Sequence, residues 1–470
     1  MSWPSPRWRA TPPPTGGPPP SSPSARSYAA CSSAKAHPIT IPTARPPSTC
    51  DHTSPPKIPQ REGEEIAMNT PRALIVGMGI GGLATAMRLR EIGWEPVLIE
   101  RASGRRPAGY FIGLFETGRA TAQRMGVLDA IGNRAGADSI TYDIERSGRR
   151  RPGMGYGDLP GGPRLILRGD IEAALYDVVA PHTEIRYGTT PIAIDEHADG
   201  VDVTLRTDQG DGATETTERF DLVVGADGLR STVRRLTFGP DQEFMRPLSH
   251  IIGATILKGP LPGYRPQDGI VLAEPGRSVW TFPFTDHHPG VLFNYRTGDE
   301  DAQFRRPPIE SLRRAFGPEP TGPVLEYLLQ QFEQADDYLF DSVHQVEMPT
   351  WHTDRTVLLG DSAWCLTLYS GMGASTALAG ADLLGTLLQR NPGNIARALR
   401  EWDQRLRPFI DVQQRGGRTQ GLTMFVPQSR RDKAIRTFTQ SLMSRPAGKR
   451  VMKTLAARQF KEKSIDIAAV

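Results

Sequence analysis

Residues 73–100, ALIVGMGIGGLATAMRLREIGWEPVLIE, constrain the fold of this 470-residue chain more than any other segment. A β-branched run meets a glycine cluster, a helical stretch ends at Gly93, and a second apolar strand closes on an acid: one βαβ unit. Gly77 permits the tight turn, Gly79 lets backbone approach a pyrophosphate, and Gly82 allows close packing of helix and strand, which Ala86 maintains one turn later. The helix N-terminus offers amides and partial positive charge to phosphates. Glu100, 18 residues after Gly82, can accept hydrogen bonds from a ribose 2′-hydroxyl and would repel a 2′-phosphate, so the nucleotide expected here is not NADP. This unit alone does not separate NAD from FAD.

Two further motifs lie downstream. Residues 221–235, DLVVGADGLRSTVRR, read as a strand that meets a turn at Gly225, Asp227 and Gly228. Residues 355–388, RTVLLGDSAWCLTLYSGMGASTALAGADLLGTLL, read as a strand ending in Gly360 and Asp361, a loop, and an apolar helix opened by Gly371 and Gly373.

Composition narrows the alternatives. Three cysteines without CxxC spacing argue against a disulfide scaffold, a structural zinc site or a redox dithiol, and point to a reducing, cytoplasmic setting. Of the net charge of +4, residues 1–67 contribute +3 from seven Lys/Arg and four Asp/Glu, which leaves about +1 for the rest and no nucleic-acid footprint. The most apolar stretch, residues 377–388, is interrupted by Asp382 and is too short for a bilayer of about 30 Å. No membrane association, obligate protein partner or metal site is expected, since HExxH and 2-His-1-carboxylate patterns are missing.

Residues 1–60 hold 16 prolines and no apolar period. Such a segment cannot bury enough apolar surface to offset its ordering entropy. Residues 1–67 therefore read as a disordered extension, as a segment preceding a true start at Met68, or as a targeting sequence.

With these motifs in this order, the chain resembles the class A flavoprotein monooxygenases of the para-hydroxybenzoate hydroxylase-like fold, which include tetracycline-inactivating and polyketide-tailoring hydroxylases. The resemblance spans roughly residues 72–420. It implies that Gly77, Gly79, Gly82, Glu100 and Arg101 bind the ADP half of FAD, and that Arg168, in RGDIEAAL, reaches FAD from the start of a helix. Asp227 and Gly228 match the family's DG pair near the pyrophosphate, with Arg230 and Arg234 behind them. Asp361 matches the acid on the ribityl chain, while Gly371 and Gly373 put amides near the flavin pyrimidine edge. A helix N-terminus aimed there would stabilise the charge of a reduced flavin. The chain departs from the family at Trp364, where His is usual, and at Leu368, where Pro is usual; an altered pocket beside the flavin is the expectation.

Between residues 245 and 350 short alternating runs separated by Gly and Pro turns read as a curved antiparallel sheet. At period 2, Trp280, Phe282 and Phe284 share one face, and Phe293 and Tyr295 share one on a neighbouring strand. Trp280, Phe282 and Tyr295 are the substrate-contact expectations. His250, His287 and His288 read as surface or satisfied residues, and no catalytic side chain is assigned.

The fold expected is α/β: a Rossmann-like FAD-binding domain (68–245 and 351–390), an inserted antiparallel-sheet substrate domain (246–350) and C-terminal helices (391–470). The resemblance implies an enzyme that uses NADPH or NADH and O2 to hydroxylate or otherwise oxygenate a small aromatic or polyketide-like molecule through a flavin C4a-hydroperoxide. An FAD dehydrogenase or reductase without oxygen insertion, or a non-catalytic flavin-binding protein, stands as the alternative.

Overall fold

The computed structural model describes residues 70–443, 463 and 465–469, apart from 106–108, 137, 154–161, 209 and 211. The expectations for residues 1–67 lie outside the described residues.

Apolar runs without alternation make strands buried on both faces, and that is what the first motif forms. Arg72–Val76 is the middle strand of a five-stranded parallel sheet. Across the sheet the order is Thr356–Leu358, Leu222–Gly225, Arg72–Val76, Glu95–Glu100 and Glu184–Tyr187. Ala73, Leu74 and Ile75 are fully buried, as are Val97, Leu98, Ile99, Leu222, Val223 and Val224. The helix Ile80–Glu91 packs on this sheet, and the helices Arg168–Val179 and Gly373–Arg390 pack against that helix. The α/β expectation holds.

This sheet order brings the motifs side by side. They leave the carboxyl ends of four adjacent parallel strands: Gly77 after Val76, Glu100 closing its strand, Asp227 beyond Gly225, and Gly360-Asp361 beyond Leu358. In open parallel sheets the crevice outside those ends is where ligands bind.

A second sheet has seven strands in the order Leu339–Val346, Met245–Ile256, Gly290–Arg296, Arg277–Phe282, Gly269–Glu274, Thr141–Ile144 and Arg150–Pro152. Its pairs are antiparallel except that Gly269–Glu274 runs parallel to Thr141–Ile144. Two strands from before residue 245 thus belong to it. One face packs on the helices Pro308–Phe316 and Gly322–Glu333 through Phe293, Phe316, Leu328 and Phe332. The opposite face carries Val271, Trp280 and Phe282, packed against Phe111, Leu292, Met424 and Phe425.

After the Gly373 helix the chain continues in Ile395–Gly416, whose buried face includes Leu399, Trp402, Leu406 and Ile410. Among the described residues no helix is long and apolar enough to cross a membrane, and no group of three or more His, Cys, Asp or Glu is placed to hold a metal ion.

Candidate functional site

The glycine turn is built as its sequence demands. Gly77 has φ +102°, and a Cβ there would lie 2.6 Å from the Ala226 carbonyl oxygen, so only glycine fits. A Cβ on Gly82 would collide with the Gly77 carbonyl oxygen. At Gly79 an added Cβ would meet the Arg168 guanidinium at 3.2 Å, which places that cation directly over the turn. Glu100 closes the turn from the next strand: its carboxylate accepts from the Met78 amide at 3.1 Å and the Ala102 amide at 2.8 Å. Arg101 is exposed beside it.

The first and third motifs touch. A Cβ on Gly81 would stand 2.7 Å from a Leu359 methyl and 3.9 Å from the Ala377 Cβ. Beyond Leu359, Gly360 takes φ +72° and Asp361 follows. The Asp361 side chain is exposed, yet its surroundings desolvate it and push its pKa up, while Arg168 holds it down. That combination marks a carboxyl lining a deep crevice. Arg168, which also pairs with Glu172 at 2.8 Å, thus stands against Gly79 and within electrostatic reach of Asp361. Gly373 closes the same corner, since its added Cβ would be 3.9 Å from Asp361 Oδ1. Gly371, at φ +68°, turns the chain into that helix.

Tyr110 and Glu172 are not identifiable from the motifs. Tyr110 is pushed up to about 12 by burial, with Arg168 opposing and Asp361 and Glu172 reinforcing. Burial likewise raises Glu172 against the pull of Arg168. The i, i+4 spacing from Arg168 could have found Glu172; no local signal marks Tyr110.

Two helix ends in this crevice, those of Ile80–Glu91 and Gly373–Arg390, have neither a side-chain cap nor a first-turn acid, a feature the helix Gly322–Glu333 also has. By contrast Ser231 caps the helix Thr232–Thr237, Asn394 caps Ile395–Gly416, and Asp170 accepts from the Leu167 amide at 2.9 Å at the start of Arg168–Val179. The first-turn amides of the two uncapped helices are thus left for an anion. An uncapped pair of N-termini, the Arg168 guanidinium and the two carboxylates of Glu100 and Asp361 form a set of donors and acceptors that suits a flavin dinucleotide.

Asp227 has a different position from the other motif residues. Both its oxygens are engaged, by Ser231 Oγ at 2.5 Å and by the Thr232 and Val233 amides at 2.6 and 3.1 Å. Its carboxylate holds the start of the following helix, and burial raises its pKa against those bonds. Arg230 forms a two-pronged pair with Asp341 at 2.6 and 3.0 Å, which ties this turn to the large sheet.

The Trp364 side chain, at one departure from the family, turns away from the crevice. Its indole is buried in a cluster with Trp351 at 4.8 Å and Trp402 at 5.6 Å between ring centres. It faces the core, and its side chain fills space there. Three residues further on, Thr367 adopts φ +68°, which a β-branched residue rarely does. Leu368 opens the short helical turn that leads to Gly371.

The aromatic residues divide between the two faces of the large sheet. Trp280 and Phe282 pair with Leu292 and Gly290, whereas Tyr295 pairs with Arg277 and lies on the other face with Phe293. The three substrate-contact candidates therefore do not form one wall: Tyr295 packs toward the helices, its hydroxyl donating to Gln303 at 3.0 Å. On the Trp280 face Phe111 stacks on Phe282 at 3.8 Å, and the Phe425 ring lies 4.8 Å from Trp280. His250, read as surface or satisfied, is buried near that face, edge-on to Tyr369 at 6.1 Å. Its Nδ1 bonds the Leu248 carbonyl at 2.6 Å, its Nε2 makes no hydrogen bond among the described residues, and burial lowers its pKa. His287 Nδ1 bonds the His288 carbonyl at 2.7 Å near the surface, as expected.

A sequence model of the FAD binding domain family matches residues 70–391. The chain belongs to the class A flavin-dependent monooxygenases. It is 28% identical to a flavin-dependent monooxygenase of Legionella longbeachae, over 74% of this chain and 87% of that one. It is 27% identical to Monooxygenase CTB7 of Cercospora beticola, over 77% of this chain and 90% of the relative. Among solved structures it is similar to tetracycline destructase Tet(55), with TM-score 0.66 and 25% identity over 78% of this chain and 94% of that one. Klebsiella pneumoniae HpxO complexed with FAD and uric acid shares the fold, with TM-score 0.65 and 20% identity over 82% and 96%.

Proposed function

We propose that this monooxygenase binds FAD in the crevice between Gly79 and Asp361, accepts reducing equivalents from NADPH or NADH, and oxygenates a small planar organic molecule. The observation that carries the reading is the single crevice in which two uncapped helix N-termini, Arg168 and Asp361 meet at the carboxyl ends of adjacent strands. When bound there, FAD would supply hydride acceptance and oxygen activation.

The chain's own residues would do the rest. The Gly79 turn and the Ile80 helix would hold the pyrophosphate, with Arg168 above it, and Glu100 would accept from the adenosine ribose. Arg101 would reach the same end from the exposed rim. Asp361 would accept from the ribityl hydroxyls. The amides around Gly371 and Gly373 would oppose the negative charge that reduction brings to the pyrimidine edge. Asp227 would act indirectly, by fixing the turn and helix between the first and third motifs.

Trp280 and Phe282 support an aromatic or polyketide-like substrate, because flat side chains favour flat ligands at offset-stacking distances. His250, kept neutral by burial and with an Nε2 that has no partner among the described residues, would accept from a hydroxyl on such a ring.

The test is direct. Purified protein should carry a yellow flavin spectrum that NADPH or NADH bleaches and air restores. With isotopic O2 and a panel of phenolic and polyketide acceptors, one label should enter product. Nucleotide oxidation without incorporation would replace oxygenation by plain dehydrogenation, and a colourless protein that refuses FAD would end the reading.

A further inference from the structure

The C-terminal residues 463 and 465–469 return to the crevice more than seventy residues past the end of the Gly373 helix, and the way they are fastened is specific. Thr117 Oγ1, fully buried, lies 3.0 Å from the Lys463 carbonyl and 2.7 Å from the Ile465 carbonyl. Asp466 pairs with Arg124, whose guanidinium also holds Asp382 of the Gly373 helix at 2.8 Å. Ile467 and Ala468 enter the main core, and the Ala469 carbonyl accepts from Arg405 at 2.7 Å. These separate attachments hold the short segment far more firmly than an end free to fray would be held.

What this strap delivers is one cation. The Lys463 ammonium donates to the Ser370 carbonyl at 2.5 Å and sits 4.8 Å from the centre of the Phe115 ring. Ser370 is the residue before Gly371, so the charge stands at the entry to the Gly373 helix. On the basis of the flavin site proposed above, we propose that the C-terminal strap places Lys463 as an electrostatic positioning residue that raises the reduction potential of the bound cofactor.

The physical case has two parts. A full positive charge at the helix entry adds to the partial charge of the uncapped amides, in a setting where solvent screens little. The same ammonium satisfies the Ser370 carbonyl, whose negative end would otherwise offset those amides. Burial brings Lys463 down to about 8, which leaves it protonated at neutral pH. A cation over an aromatic face, anchored by its own backbone through Thr117, is held in place and not merely drawn to the surface.

The experiment uses full-length, FAD-loaded protein and three variants: Lys463→Met, Lys463→Arg and Thr117→Val. The flavin potential is read by equilibration with a reference dye and FAD affinity by fluorescence. Lys463→Met should make two-electron reduction about tenfold less favourable, a fall of about 30 mV, with Lys463→Arg recovering most of it. Thr117→Val, which loosens the strap and keeps the lysine, should fall between. If Lys463→Met changes thermal stability while potential and affinity stay at the wild-type values, the residue only tethers the tail and the inference is overturned. Should wild-type protein take up no FAD at all, the flavin reading fails first and this inference with it.

Discussion

Arg234 donates to the Ser362 carbonyl across 2.8 Å, a bond that joins the second motif to the third inside the core. Its side chain has no exposed surface; Nη2 donates to the Leu229 carbonyl and to Asp241, while Nε has no hydrogen-bond partner among the described residues. The motif puts Arg234 merely behind the DG pair, whereas the structure makes it the link between two walls of the crevice. Arg234→Met should therefore cost about 3 kcal/mol or more, because a buried charge network loses its centre. Urea unfolding of the two proteins checks this; a loss under about 1 kcal/mol would deny the link.

Glycine substitutions in the first motif should separate into three grades. Gly82→Ala drives a methyl into the Gly77 carbonyl and should prevent accumulation of folded protein. Gly79→Ala meets only the movable end of Arg168, so the protein should fold and bind FAD on the order of tenfold more weakly, about 1.4 kcal/mol. Gly93→Ala has open space around it but φ +84°, and should cost about 1 kcal/mol without touching the cofactor. Parallel thermal melts and flavin titrations distinguish these outcomes.

Asp361 gives a pH prediction. Its folded pKa lies above the usual 3.8 because the crevice around its exposed carboxyl desolvates the charged form. The ionised group therefore costs stability above the folded pKa, and the cost disappears as acid protonates it. Asp361→Asn should melt higher than wild type at neutral pH, and the gap should close below about pH 3.8. The same variant should hold FAD less tightly, so stability and affinity would move in opposite directions.

Trp364 tests the reassigned role of a family departure. Trp364→Ala should lose about 3–5 kcal/mol, in line with removing a large buried ring. Trp364→His, which restores the residue usual at that place, should also be destabilised while the flavin spectrum of whatever folds stays unchanged. A spectral shift without destabilisation would return Trp364 to the pocket.

The two faces of the large sheet should answer differently to mutation. Phe282→Ala ought to raise the KM for substrate by an order of magnitude, since it removes stacking area beside Phe111. Tyr295→Phe should leave KM alone and cost about 1 kcal/mol, the worth of its bond to Gln303. Steady-state kinetics once a substrate is found, with melts alongside, make the comparison.

Local spacing makes much of the crevice legible. Gly77, Gly79, Gly82, Glu100, Asp361 and Gly373 meet because turns and strand ends obey short-range rules, and the sheet then sets those ends next to one another. What stays hidden in the sequence is long-range. The strands Thr141–Ile144 and Arg150–Pro152 join the large sheet across more than a hundred residues, and no period within them says so. Alternation correctly puts Phe293 and Tyr295 on one face, but the register with Arg277–Phe282 decides that this is not the Trp280 face. Trp364 escapes the motif reading because chain position next to Asp361 says nothing about which way an indole turns. Lys463 carries no motif at all; only the docking of the tail gives it meaning.

The large sheet works as a partition one backbone thick. Neighbouring positions in a single strand, Val279 and Trp280, answer to separate demands: one to the helices that keep the lobe standing, the other to the aromatic cluster with Phe111 and Phe425 on the opposite side. If the Trp280 face meets the acceptor as proposed, variation at every second residue would retarget the enzyme while the alternate residues go on supporting the same architecture. Divergent acceptors on a common scaffold are a natural outcome of that arrangement.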